Sequence, residues 1–243
     1  MRDLLVLNIG NTHTCWAYRR ASGILENPGG CDTSAWLEDW SHLPDADGPV
    51  WAACVVPEAR KQLEALHRYP ELHWADARAA GRCGLGLRRM DIATLGMDRI
   101  ANAAALLSGP LPAATLDCGT AITLEMVDED REFCGGAIAP GRALLREALA
   151  RGTAALPHLA WNGEIPDELG RNTRDAMMLG VDRGAVGTVR ELLEIARRHG
   201  AKRIVLCGGD APFFARAFPE LEQGGSLFTL EGIAKIGAAH SRG

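Results

Sequence analysis

The sequence predicts an α/β chain of two similar lobes, each a mixed sheet flanked by helices, and three features predict it. Short apolar runs of strand length alternate with amphipathic helical stretches. A turn with Asn or Asp, Gly and Thr follows such a run twice, in Leu7-Asn8-Ile9-Gly10-Asn11-Thr12 and in Leu116-Asp117-Cys118-Gly119-Thr120, and each turn leads into another apolar strand. Between the two copies, Gly109-Pro110-Leu111-Pro112 stops regular structure. The lobes are therefore expected at 1–112 and 113–243.

In the first lobe, Leu4–Leu7 is an apolar strand, 8–11 a turn, and a second strand runs through Trp16 and Tyr18. Pro and Gly near 28–30 and 44–49 break the next segments into short pieces. Trp51–Val56 is a buried-strand candidate, and Pro57 opens a helix after it. Leu72–Ala75 fits a short strand. Met97–Leu107 reads as a helix with Ile100, Ala103, Ala104 and Leu107 on one face. The second lobe starts with strand Ala114–Cys118, the Gly119-Thr120 turn and strand Ile122–Val127. Phe133–Ala139 is a third strand, ended by Pro140-Gly141. A helix fits Arg142–Arg151 with Gly152 as its C-cap, and a longer one runs from Thr173 to His199. Ile204–Cys207 is a strand entering Gly208-Gly209. Leu227–Leu230 and a last helix near Ile233–His240 finish the chain.

Composition narrows the function classes. The 243 residues are 47% hydrophobic and 23% charged, which suits a globular chain with a sizeable core. A net charge of −5 gives no global field toward nucleic acid or an anionic membrane. The Leu4–Leu7 run is too short for a signal peptide, and no stretch approaches the roughly 20 apolar residues of a membrane span. The seven cysteines form no C-x-x-C pair, so neither a zinc ribbon nor a thioredoxin-type site is indicated. A cytoplasmic protein is expected.

A strand-turn-strand tipped with Gly and Thr directs backbone N–H groups and a hydroxyl at an anion. Two such tips from facing lobes suit the phosphates of one nucleotide, and an acidic residue beside a tip can organise a cation. Phosphoryl transfer asks a protein mainly for that positioning and charge neutralisation. Taken singly, each turn reads first as an ordinary hairpin tip; the duplication at matching places in the two halves favours phosphate. Other nucleotide and hydrolase motifs are absent: no Gly-Lys dipeptide, hence no Walker A loop, and no G-x-S-x-G or H-E-x-x-H. Gly84-Leu85-Gly86 lacks the third glycine of a dinucleotide fingerprint.

The order of motifs resembles that of the type III pantothenate kinases, members of the actin, Hsp70 and sugar-kinase superfold. Asn8-Ile9-Gly10-Asn11-Thr12 matches the family's first turn, Gly96-Met97-Asp98-Arg99 its Gly-any-Asp-Arg, and Asp117-Cys118-Gly119-Thr120-Ala121 its second turn. Gly135-Gly136, Pro140-Gly141, Thr153-Ala154 with Leu156-Pro157, Gly170 to Thr173 and Gly208-Gly209 come next in family order. The resemblance implies duplicated actin-like (ribonuclease H-like) lobes and ATP-dependent phosphorylation of pantothenate to 4′-phosphopantothenate, the first step toward coenzyme A.

It also implies roles. Asp98 matches the catalytic base; read alone, it is equally a helix cap. Asn8, Ile9, Gly10, Asn11, Thr12, His13, Thr14 and Cys15, with Thr120, correspond to the ATP-binding positions. Gly96, Met97, Asp98, Arg99 and Thr173 correspond to the pantothenate pocket. Arg99 suits a paired bond to a carboxylate or a surface ion pair, and Thr173 also fits a helix N-cap after Asn172. Asp117 matches the ligand of a monovalent cation, K⁺ or NH₄⁺, beside Mg²⁺ carried with ATP; a structural Asp at a strand end is the competing reading. A homodimer is implied because the family's pantothenate pocket lies at a dimer interface. Gly180-Val181-Asp182-Arg183 repeats the Gly-any-Asp-Arg pattern where the family has no base, so Asp182 and Arg183 read as solvated helix residues. Two departures stand out. Asn8 replaces the family aspartate, and Asp91–Leu95 lacks the X-Pro that precedes this motif in many relatives. If Asn8 weakens the metal and phosphate chemistry, the alternative is a nucleotide-binding regulatory protein.

Overall fold

The computed structural model describes residues 3–240. Strands β1 (Leu4–Ile9), β2 (His13–Arg19), β3 (Leu25–Asp32), β4 (Val50–Cys54) and β5 (Leu72–Trp74) form one sheet in the order β3-β2-β1-β4-β5. β2 runs antiparallel to β1 and β3, whereas β4 runs parallel to β1 and β5. β6 (Ala113–Cys118), β7 (Ala121–Val127), β8 (Phe133–Pro140), β9 (Arg203–Cys207) and β10 (Glu222–Gly225) form a second sheet in the order β10-β9-β6-β7-β8. Adding five to each label of the first sheet yields the second. The parallel β6–β9 pair matches β1–β4. The fold is the duplicated actin-like one, two mixed five-stranded sheets flanked by helices.

Eight helices accompany the sheets among the described residues: α1 (Thr33–Glu38), α2 (Pro57–Ala65), α3 (Ala77–Arg82), α4 (Met97–Leu106), α5 (Arg142–Gly152), α6 (Thr173–Arg198), α7 (Ala211–Ala215) and α8 (Phe228–His240). Parallel central strands need cover on both faces, which is why β4 and the first four residues of β1 read as apolar runs. Side chains of β1 alternate between faces. Leu5, Leu7 and Ile9 join Val50, Ala52, Trp36 of α1, Leu63 of α2 and Tyr69 in one buried cluster. Leu4 and Trp51 meet α8, where a Cβ on Gly237 would stand 2.9 Å from the Trp51 ring and 3.2 Å from Leu4 Cδ2. α4 packs on α8, and Gly232 permits it, since a Cβ there would fall 1.8 Å from the Ala101 carbonyl oxygen.

Contacts divide the chain into two compact units. One comprises the chain up to Leu111, Val127–Gly135 and the chain from Leu227 on; the other comprises Pro112–Met126 and Gly136–Ser226. The first break lies beside the expected boundary at 112/113. Within 113–243, Val127–Gly135 and α8 group with the first unit, α8 burying its apolar side on α4 and β1.

Other expectations need correction. Pro28, Gly29 and Gly30 do not merely interrupt the chain but lie inside β3. β3 is an edge strand, where a proline leaves no ladder bond unmade, and a Cβ on Gly29 would lie 2.5 Å from the Trp16 ring. α5 runs through Gly152 and is capped by Thr153. Leu227–Leu230 enters α8 rather than preceding it. Asn172, not Thr173, is the N-cap of α6; its side chain accepts a 2.9 Å hydrogen bond from Asp175 N–H. Asp182 is the largest correction. It is fully buried in α6, with Oδ1 accepting from Arg142 Nε at 3.0 Å and Arg146 Nη2 at 2.8 Å. Arg183 bonds the Pro166 carbonyl and Asp167 at the surface.

Candidate active site

In the first unit, the turn between β1 and β2 is closed by Gly10 N–H donating to the His13 carbonyl at 3.0 Å. Asn8 sits in register between Cys15 on β2 and Ala53 on β4; Ile9, the last paired residue, is buried between Thr14 and Cys54. Asn11 and Thr12 are exposed at the tip, and His13 pairs with Asp32 at 3.0 Å. Thr14 points the other way. Its hydroxyl is fully buried, 3.0 Å from the Thr33 hydroxyl, and accepts from Trp36 Nε1 at 2.7 Å. Thr33 in turn donates its hydroxyl to the Gly10 carbonyl at 2.7 Å and its N–H to the Thr12 carbonyl at 2.9 Å. α1 thus braces the turn from behind, a role the sequence pattern did not suggest.

Asp98 lies at the same end of this sheet. Val55 N–H donates to the Ile9 carbonyl at 3.1 Å, and Val55 Cγ1 would stand 3.7 Å from a Cβ on Gly96. Gly96 is the N-cap of α4 and offers no side chain, so the half-buried Asp98 carboxylate folds back over it; a Cβ on Gly96 would lie 2.6 Å from Asp98 Oδ1. That oxygen accepts the Arg99 N–H at 2.8 Å. Gly96, not Asp98, is thus the N-cap, and Asp98 lies in the first turn of α4, its carboxylate accepting an N–H of that turn. Burial raises its pKa above the ordinary 3.8, opposed by the Arg99 N–H and guanidinium. A carboxylate lifted in this way takes up a proton more readily, as a general base needs. Met97 and Arg99 are half-buried beside it, with the guanidinium carbon 5.8 Å from the Phe133 ring centroid.

In the second unit, two glycine-bearing segments converge on the turn Asp117-Cys118-Gly119-Thr120. Gly119 N–H donates to the Ala121 carbonyl at 2.9 Å, closing the β6–β7 turn. Gly141, the N-cap of α5, donates to the Thr120 carbonyl at 3.0 Å, and a Cβ on it would fall 2.2 Å from the Gly119 carbonyl oxygen. The free N–H groups of the first turn of α5 therefore start beside the tip, an arrangement that favours anions. From β9, Gly208 has φ +94°, and a Cβ on it would lie 2.3 Å from Asp117 Oδ1 and 2.5 Å from the Cys118 carbonyl oxygen. The half-buried Asp117 sits opposite Cys207 on β9. Asn8 and Asp117 are equivalent positions: each is the fifth residue of a six-residue strand with the same burial pattern. Thr173 is exposed at the first position of α6.

What sequence reasoning missed in this unit is the charged layer behind the cradle. Arg142, the first residue of α5, donates to Asp182 at 3.0 Å, to Asp210 at 2.8 Å and to Asn162 Oδ1 at 3.0 Å, and its guanidinium carbon lies 3.3 Å from the Phe213 ring centroid. Burial raises the Asp210 pKa, and Arg142 and Arg146 oppose the rise. Arg142 comes directly after Pro140-Gly141 in sequence, the only signal that could have pointed to it.

A sequence model of the family described as type III pantothenate kinase matches residues 4–195. The type III pantothenate kinase of Rhodospirillum rubrum is 34% identical over 96% of this chain and 97% of its own length. That of Synechococcus elongatus is 38% identical over 78% of this chain and 74% of its own. Among solved structures, a Campylobacter jejuni chain assigned to the Baf family of transcriptional activators superposes with a TM-score of 0.67 at 20% identity, covering 98% of this chain and 99% of that one. The Clostridium difficile activator of 2-hydroxyisocaproyl-CoA dehydratase, with bound ADPNP, gives 0.55 at 13% identity over 99% and 96%. These structural likenesses speak to fold alone. The sequence matches, spread over nearly the whole chain, carry the assignment: this chain belongs to the type III pantothenate kinase family.

Proposed function

We propose that this chain transfers the γ-phosphoryl group of ATP to the primary hydroxyl of pantothenate, giving 4′-phosphopantothenate and ADP, the first step toward coenzyme A. The observation that supports it most is Asp98, a carboxylate with a raised pKa held at a helix N-terminus by a glycine that leaves it room. In this reading Asp98 takes the hydroxyl proton as the oxygen attacks the γ-phosphorus, and ADP departs with the electron pair of the broken P–O bond. Arg99 pairs with the pantothenate carboxylate through its planar fork, beside Gly96 and Met97, and Thr173 is a further pantothenate contact of this reading. The Asn8–Cys15 turn and Thr120 hold phosphate oxygens through backbone N–H and hydroxyl groups.

The Asp117 carboxylate is an oxygen donor suited to a hard cation such as K⁺ or NH₄⁺, and Gly208 keeps that oxygen uncrowded. The cation would neutralise phosphate charge, as would the Mg²⁺ that accompanies ATP. We further propose a homodimer and a cytoplasmic location; among the described residues no helix is long and apolar enough to cross a membrane.

Asn8 favours a second reading, a nucleotide-binding protein with little turnover, because it places a neutral amide where the equivalent position of the other unit carries Asp117. A coupled assay with pantothenate, ATP, Mg²⁺ and K⁺ separates the two. ADP release that depends on pantothenate supports the kinase. ATP binding without pantothenate-dependent release leaves the second reading standing.

A further inference from the structure

A cavity of about 830 Å³ opens in the first unit, built from the β2–β3 turn, α3, the end of α4, the β7–β8 turn and α8. Its wall carries four cations, Arg19, Arg82, Arg131 and Lys235, against a single acid, Glu231. This is unusual in a chain whose net charge is −5. Most arginines of this protein find carboxylates, and these do not. Arg82 Nη1 lies 2.8 Å from His240 Nδ1. Arg131 donates to the Gly84 and Cys83 carbonyls at 3.1 and 3.3 Å. Lys235 Nζ meets only the Ser108 hydroxyl, at 3.0 Å. Arg19 has no ion pair among the described residues. Burial lowers the Lys235 pKa, and the nearby Arg131 adds to the effect. Like charges gathered from four elements without counter-charges repel one another, and the fold tolerates the repulsion only at a cost to stability.

We propose that this cavity binds a small phosphorylated molecule, its phosphate held by Arg19, Arg82, Arg131 and Lys235 and its apolar body lying on Leu25, Leu227 and Ala234. The volume lies within the range of small-molecule pockets. Guanidinium forks offer paired N–H groups to phosphate oxygens, and the lysine supplies a mobile point charge. One carboxylate would not balance four cations, whereas a dianionic phosphate ester comes closer. This site is separate from the β1–β2 turn. Arg19 closes β2 and His13 opens it, which puts roughly 20 Å of extended strand between the cavity and the β1–β2 tip. The bound molecule would tie the β2–β3 turn and α3 to α8, and so act on the stability of the unit that carries Asp98.

Inorganic pyrophosphate is the probe, titrated calorimetrically into the full chain already saturated with a non-hydrolysable ATP analogue, so that the nucleotide turns are filled. Wild type should take up pyrophosphate at one further site and melt at a higher temperature with it. Lys235→Gln and Arg19→Gln should each weaken that uptake by about tenfold, the scale of one charge-assisted hydrogen bond. Lys235→Arg should keep it, and Arg183→Gln, at the surface of the other unit, should not change it. Affinity for the ATP analogue, measured separately, should be the same in all five proteins. No uptake by analogue-saturated wild type, or equal uptake by the Gln variants, overturns the proposal. Loss of analogue binding in wild type would instead count against the kinase reading.

Discussion

At the scale of single residues, Asp98 carries the clearest consequences. Asp98→Asn removes the proton acceptor and should reduce turnover at least roughly a hundredfold, the scale for a general base. The same substitution should stabilise the fold at neutral pH. The raised pKa means that the folded state holds the proton more tightly than the unfolded chain does. Stability from this residue is therefore full below the ordinary pKa and is lost as pH rises through the raised folded value. The melting temperature of Asp98→Asn should match wild type at acid pH and exceed it at pH 7, and a variant that melts lower at pH 7 rules this out. Asn8 yields the complementary prediction. A carboxylate there would attract Mg²⁺ or its water shell, which the amide does not. Asn8→Asp should raise catalytic efficiency at limiting Mg²⁺, with the gain shrinking as Mg²⁺ saturates; an unchanged Mg²⁺ dependence contradicts this account. The two turns could be read in the sequence because glycine and threonine stand beside them in a fixed order. Asp182 could not. Its neighbours spell the same Gly-any-Asp-Arg pattern as those of Asp98, and only the fold shows that Arg142 and Arg146 arrive from α5 to bury it.

Those contacts set the prediction at the scale of elements. α5 and α6 are joined through Asp182, whose Oδ1 accepts two arginine donors at the N-terminal half of α5. Removing one partner of a buried ion pair leaves uncompensated charge, an effect of about 3–5 kcal/mol. Asp182→Asn should thus lower stability by about that amount, overturning the expectation that a solvated residue could be replaced freely. It should also loosen the Gly141 end of α5 that supports the Gly119-Thr120 tip, so ATP affinity should fall at equal folded fraction. Urea denaturation combined with nucleotide titration decides it; an unaltered midpoint would exclude a structural role for the network. The strands were largely legible from their apolar runs. The least legible elements were β3, which tolerates Pro28 because it is an edge, and β10, Glu222–Gly225, whose four residues include no apolar side chain. Neither carries the hydrophobic signal on which strand reading depends.

At the scale of the whole molecule, the sequence suggested two lobes cut once near residue 112, whereas the contacts give the first unit three separate stretches of chain. The repeat was visible because each copy carries its own apolar strand and Gly-Thr turn. The return of α8 was not, since a 13-residue helix of mostly apolar and small residues fits either unit equally well on paper. The difference has a consequence for folding. Without α8, Leu4 and Trp51 lose the helix that covers them, and the α4 backbone at Ala101 loses its neighbour Gly232. Uncovering side chains of this size removes about 1.5–3 kcal/mol each, against a total domain stability of about 5–15 kcal/mol. A fragment of residues 1–112 should therefore fail to melt cooperatively and should bind hydrophobic dyes. Supplying a peptide of residues 227–240 in trans should restore a cooperative transition, with a midpoint that rises with peptide concentration as mass action requires. Gly232→Ala in that peptide should abolish the rescue, because its methyl would collide with the Ala101 carbonyl, which no side-chain rotation can move aside. A cooperative transition in the fragment alone would show that the first lobe is complete at residue 112 and that α8 is an accessory to it. Rescue that is equal with the Gly232→Ala peptide would show that α8 is needed but docks differently, leaving the close approach of α4 and α8 without a role in placing Asp98.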